Sequence, residues 1–117
     1  MQQANPDLRK SPRKEVLAPA VIHMEKDGKV YRSQAIVRNI SMEGMLVALY
    51  DYDEDLKELD LENVTAKIRF RCSDADTEYV ASCLTNRAEK LTYSIQISAV
   101  ITKMSPEHLQ AMQRYCS

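Results

Sequence analysis

Val64-Thr65-Ala66-Lys67-Ile68-Arg69-Phe70-Arg71-Cys72 alternates between apolar and polar side chains without a break. Successive side chains of a strand point to opposite faces, so this period of two predicts a half-buried β-strand. Val64, Ala66, Ile68, Phe70 and Cys72 take the inner face; Thr65, Lys67, Arg69 and Arg71 take the outer one. The same alternation recurs on both sides of the stretch. Downstream, Ser73-Asp74-Ala75-Asp76 has turn composition and leads into a predicted strand over Glu78–Thr85. A further strand is predicted over Leu91–Ile101, with Tyr93, Ile95, Ile97, Ala99 and Ile101 set against Ser94, Gln96 and Ser98. Upstream, Met45–Tyr50, Lys29–Ile40 and Val16–Met24 read as three more strands. Asp27-Gly28 is a two-residue hairpin signal between the first pair, and Pro19 suggests an edge or irregular position. The period changes only at the end, where Ser105-Pro106-Glu107 supplies an N-cap, a first-turn proline and an early acid. Leu109, Met112 and Cys116 then share one helical face. Six short antiparallel strands, one helix and no internal repeat predict a mainly β fold, a six-stranded antiparallel β-barrel with a C-terminal α-helix. Closing the sheet also removes its edges.

The bulk composition agrees with one soluble domain. The chain has 117 residues, enough for a single modest core, with 44% hydrophobic and 28% charged residues. A net charge of −1 argues against a protein that coats DNA or RNA. No apolar run approaches the length of a membrane span, and the first thirty residues lack a signal-peptide core. Cys72, Cys83 and Cys116 are odd in number and widely spaced, so they read as reduced, packed thiols of a cytoplasmic protein.

Sites for chemistry are scarce. Asp51, Asp53, Asp55 and Glu62 imitate the carboxylate spacing of a calcium loop, but Leu56 stands where the sharp turn needs glycine. The segment is expected to be an acidic, solvated connection with one helical turn at most. His23 and His108 have no spaced ligand partners, there is no CxxC pair, and the only glycines are Gly28 and Gly44. No metal, no cofactor and no enzymatic activity are expected. The outward Lys67, Arg69 and Arg71 read as the solvated face of an amphipathic strand.

Two polar stretches flank the first hairpin. Residues 1–8 show no periodicity and are expected to form a flexible N-terminal arm, with residues 9–117 making the domain. Arg9-Lys10-Ser11-Pro12-Arg13-Lys14 places four cations in six residues, and Pro12 keeps Ser11 extended. Asn39-Ile40-Ser41-Met42-Glu43-Gly44 separates two apolar runs with a turn in which Asn and Ser can bond backbone or ligand. Arg9 and Arg13 match an RxxxR motif; Asn39, Ser41 and Gly44 match [DN]xSxxG. In that order, around one hairpin of a predicted barrel, they resemble the PilZ family, and the similarity extends over roughly residues 8 to 116.

The resemblance implies a bacterial receptor for cyclic di-GMP, a cyclic dinucleotide of two guanosines and two phosphates. By that analogy Arg9 and Arg13 grip guanine and phosphate, because a guanidinium fork makes parallel charge-assisted bonds to either. Asn39 and Ser41 offer polar groups to a guanine edge, Gly44 leaves room for the base, and Leu8 and Lys10 are accessory. Asn39 stands where the family often has Asp, and lacks the charge to accept from two guanine donors. The expected stoichiometry is one cyclic di-GMP per site, since Leu8 replaces a further cation. The signal would pass to an unidentified protein partner in motility, biofilm or virulence. The alternatives are a PilZ-like interaction module without nucleotide and a small barrel for single-stranded nucleic acid. The second would need exposed aromatic platforms, and Phe70, Tyr79 and Tyr93 all read as inward.

Overall fold

A computed structural model gives the structure of the chain and describes residues 14–71 and 77–116, with side chains through Arg114. The strands are β1 (Lys14–Lys26), β2 (Lys29–Ile40), β3 (Gly44–Asp51), β4 (Thr65–Arg71), β5 (Glu78–Lys90) and β6 (Ile95–Met104), followed by helix α1 (Pro106–Cys116). All neighbours run antiparallel, in the closed order β1-β2-β3-β6-β5-β4. Two three-stranded meanders, β1-β2-β3 and β4-β5-β6, are therefore joined along two seams, β3 with β6 and β1 with β4.

The alternation read from the sequence sets the interior. Ile22, Met24, Ala35, Val37, Val47, Leu49, Ile68, Phe70, Ala81, Ile95 and Ile97 are all buried, while Thr65, Lys67, Arg69 and Arg71 face outward. Asp27 and Gly28 both adopt positive φ, 54° and 81°, and close the β1–β2 hairpin at the Lys26–Lys29 pair. Pro19 does not mark an edge, since closure leaves none. It lies between a bulge at Glu15–Ala18 and the first β1–β4 pair, Ala20 with Phe70. It is thus the irregular position that the proline suggested, next to a bulge and before the β4 ladder begins. The predicted turn at Ser73–Asp76, and Cys72 before it, lie outside the described residues.

Three expectations are corrected by geometry that alternation alone does not carry. β5 runs on to Lys90, and β6 starts at Ile95 instead of Leu91. Leu91 N–H donates to the Ser94 carbonyl, which makes 91–94 the β5–β6 turn and leaves Tyr93 87% exposed. A bulge between Thr85 and Arg87 reverses the parity of β5, so Ala88 comes to pair with inward Ile97. A second bulge, between Ser82 and Cys83, leaves Ile101 half-buried and turns Met104 inward. On α1, Met112 is buried as expected, but Leu109 is 36% exposed and the Cys116 side chain is outside the described set. The helix docks through His108 and Met112, one turn apart. The imidazole meets the Tyr79 ring edge-on at 5.4 Å, and Nδ1 accepts from Val80 N–H at 3.4 Å.

The acidic connection also does more than solvate. A 3₁₀ turn, Glu54–Lys57, is capped by the Asp53 side chain, which accepts from Asp55 N–H. It carries Leu56 into the core, and Leu61 follows, both essentially inaccessible. Thr85 Oγ1 accepts from Val64 N–H at 2.7 Å and donates to the Leu61 carbonyl at 2.6 Å, fixing this plug to β5. Lys57 Nζ donates to the Thr92 carbonyl, and Lys90 Nζ donates to the carbonyls of Lys57 and Leu59. The carboxylates stay outside, where Asp53 and Asp55 lie 3.9 and 3.8 Å from Lys29 Nζ. Pairs this exposed contribute little to stability; the leucines hold the plug.

Leu56→Ala should therefore destabilise the fold by about 2–5 kcal/mol, the range for truncating a buried leucine. Thr85→Val should cost about 1–3 kcal/mol by leaving the buried Val64 N–H without its acceptor. Urea denaturation of both variants against the parent chain measures these losses. Burial also pushes the Cys83 thiol up to about 12. The folded chain thus holds the proton more tightly than the unfolded one. This contribution to stability is whole below the unfolded thiol's pKa of about 8.5 and declines as pH rises toward the folded value. At mildly alkaline pH, Cys83 should resist iodoacetamide in native buffer and alkylate rapidly in concentrated guanidinium, as read by peptide mass.

Candidate functional site

The turn between β2 and β3 is held from within and from behind. Ser41 N–H donates to the Gly44 carbonyl at 2.8 Å, while Ser41 Oγ accepts from Glu43 N–H and Gly44 N–H, both at 3.2 Å. Ser41 is buried, so its hydroxyl serves mainly to organise the turn's own backbone. Ile101 N–H donates to the Glu43 carbonyl at 2.8 Å and ties the turn to β6. Gly44 pairs with Val100 across that seam. A methyl group at Gly44 would collide with the Ala99 carbonyl oxygen and lie 3.3 Å from Val100 Cα. The nearest demand for a glycine is therefore the closeness of β6.

Two surface concavities flank the turn. On the β1 side, one of about 630 Å³ is lined by Glu15, Val16, Leu17, Arg38, Asn39 and Leu46. On the β6 side, a smaller one of about 280 Å³ includes Ser41, Glu43, Gly44, Asn86 and Ser98. Asn39 thus opens onto one concavity, and Ser41 and Gly44 border the other. The larger has a volume suited to a small-molecule ligand and combines polar groups with apolar walls. Lys14 pairs with Ile40 and Glu15 with Asn39, so the described chain begins beside the turn. Leu8, Arg9, Lys10 and Arg13 lie outside the described residues.

Arg38 and Glu15 were not singled out in the sequence. Arg38 falls on the outward parity of β2 with Arg32 and Gln34, as any solvated side chain would. What distinguishes it is a double irregularity. Val16 and Leu17 are inserted opposite it on β1, and Arg38 is itself the extra residue against β3, between Val37–Val47 and Asn39–Leu46. Bulges of this kind bend the strand and re-aim side chains. Leu17, 78% exposed on the same bulge, adds an apolar surface at the rim. Among the described residues no cluster of three metal-ligating side chains occurs, and no helix is long and apolar enough to cross a membrane.

No family model matches the sequence, and no curated protein does. Solved structures do match. The chain is similar to the inhibitor of motility MotI/DgrA of Bacillus subtilis, with a TM-score of 0.69 at 15% identity, covering 94% of this chain and 50% of that one. It is similar to the PilZ domain of YcgR from Escherichia coli with c-di-GMP, with a TM-score of 0.59 at 14% identity, covering 94% of this chain and 89% of that one. It is also similar to MrkH of K. pneumonia in its c-di-GMP complex, with a TM-score of 0.60 at 16% identity, covering 93% and 51%. The chain spans about half the length of MotI/DgrA and of MrkH. Its fold is that of a PilZ domain. MrkH is described as a c-di-GMP-dependent transcription regulatory factor.

Gly44→Ala should shift the β3–β6 seam and destabilise the chain by about 1–3 kcal/mol, the range for overpacking a tight contact. Thermal unfolding by circular dichroism measures the loss.

Proposed function

We propose that the chain is a receptor for cyclic di-GMP, which it takes beside the β2–β3 turn. The observation that carries this reading is the strand register. Lys14 is the partner of Ile40 and Glu15 of Asn39, so the first described residues of β1 lie beside the start of the Asn39–Gly44 motif. In this reading the Arg9–Arg13 motif, which precedes Lys14 in sequence, meets the turn from the β1 side. The shared fold supports the reading further, since the YcgR and MrkH structures are described as holding c-di-GMP.

In this reading Arg9 and Arg13 supply guanidinium forks to guanine or phosphate, with Leu8 and Lys10 accessory, and Asn39 addresses a guanine edge. Ser41 fixes the turn that presents Asn39, and Gly44 lets β6 close behind it. Residues 1–8 act as the arm and residues 9–117 as the domain. One dinucleotide binds per chain, and the occupied surface is read in the cytoplasm by a protein partner in motility, biofilm or virulence. No catalytic step is involved. One observation favours a second reading, a PilZ-like interaction module without nucleotide: Ser41 and Gly44 each have a structural duty that needs no ligand.

Isothermal titration with cyclic di-GMP decides between them. Binding at one ligand per chain is expected. Arg9→Ala and Arg13→Ala should each cost about 1–3 kcal/mol, the worth of a good bidentate base contact. Arg13→Lys should lose nearly as much, because an ammonium cannot form the fork. Undiminished affinity in Arg13→Ala would remove the arm from the site.

A further inference from the structure

We infer that Glu15 and Arg38 read one of the ligand's two guanines, Glu15 accepting from the base's N1–H and N2–H groups and Arg38 donating to its O6 and N7. The inference rests on the cyclic di-GMP reading and adds its base specificity. It begins from a deficit at Asn39. Guanine presents two adjacent donors on its Watson–Crick edge, and a carboxylate meets both with two oxygens and a charge. An asparagine amide offers one oxygen, no charge, and two donors of its own.

The missing carboxylate stands directly across the ladder. Glu15 is the cross-strand partner of Asn39 and lines the same concavity. Arg38 lines it too, displaced outward by the bulges on both of its flanks. The two side chains are opposite in charge and border one concavity of about 630 Å³, yet they do not pair with each other. Among the described residues neither has any other ion-pair partner. Both are exposed, so carboxylate and guanidinium are left as an acceptor set and a donor fork. Val16, Leu17 and Leu46 supply apolar surface for the face of a purine. Adenine inverts the pattern, with a lone pair at N1 facing the carboxylate and a donor amine facing the guanidinium, and would be rejected.

The sign of a charge-removing substitution is diagnostic. Cyclic di-GMP carries two negative phosphates, so a glutamate that merely lies nearby repels it, and Glu15→Gln would then tighten binding. A glutamate bonded to guanine gives the opposite result. The full chain is titrated calorimetrically with cyclic di-GMP and with cyclic di-IMP, whose base lacks the 2-amino group. Glu15→Gln should weaken cyclic di-GMP by about 5- to 150-fold, as for one bidentate contact. It should weaken cyclic di-IMP distinctly less, because one of the two bonds is already gone. Arg38→Ala should weaken both ligands by the same factor, since O6 and N7 are common to them. Both substitutions fall on exposed side chains, and unchanged circular dichroism confirms folding. Unchanged or tighter cyclic di-GMP binding by Glu15→Gln, or equal losses for the two ligands, overturns the assignment while the receptor reading survives. Failure of the parent chain to bind cyclic di-GMP overturns both.

Discussion

The seam between β3 and β6 is the constraint on which the rest of the structure depends. At Gly44 the two backbones approach so closely that even a methyl group would strike the Ala99 carbonyl. The Ile101–Glu43 hydrogen bond extends the seam past the end of β3 into the turn. With that seam made, β4-β5-β6 has one position against β1-β2-β3, and the second seam, β1 with β4, completes the barrel. The turn that carries the sequence motif is thus part of the closure itself. Its buried serine and its glycine serve the fold, whatever else they serve.

This double duty explains how the motif was legible and how it was incomplete. Asn39, Ser41 and Gly44 stood out because small hydrogen-bonding residues ahead of a glycine interrupt two apolar runs. The sequence could not divide their labour, since hydroxyl satisfaction and backbone approach are properties of the folded turn. Glu15 and Arg38 were illegible for a different reason. Each obeys its strand's alternation, and a bulge leaves no residue-type signature when its extra positions are Val16, Leu17 and Arg38. The same failure recurs at Thr85–Arg87, where one inserted residue reversed the faces of β5 and left the sequence pattern looking regular.

The fold itself was legible wherever one face meets the core and the other meets water. β2 was read to the residue, from Lys29 to Ile40, because Asp27-Gly28 fixed one end and the polar turn fixed the other. The plug was missed because Leu56 and Leu61 lie in a run of carboxylates, where average polarity conceals two residues at zero and 1% exposure. Tyr93 failed in the opposite sense. An aromatic residue on the apparent inner parity was assigned to the core, whereas the Leu91–Ser94 turn holds it out in solvent.

The two seams also bear on how the chain reaches this state. Each meander is built from neighbours in sequence, and the left-handed residues at Asp27-Gly28 let the first hairpin form on the microsecond timescale of isolated hairpins. The seams pair Ala20 with Phe70 and Gly44 with Val100, contacts that must close long loops before they are rewarded. Chains dominated by such distant pairings fold in milliseconds to seconds. Until closure, β1, β3, β4 and β6 each present an open edge, and the cations at Lys67, Arg69 and Arg71 keep the edge of β4 from adding a strand of another chain.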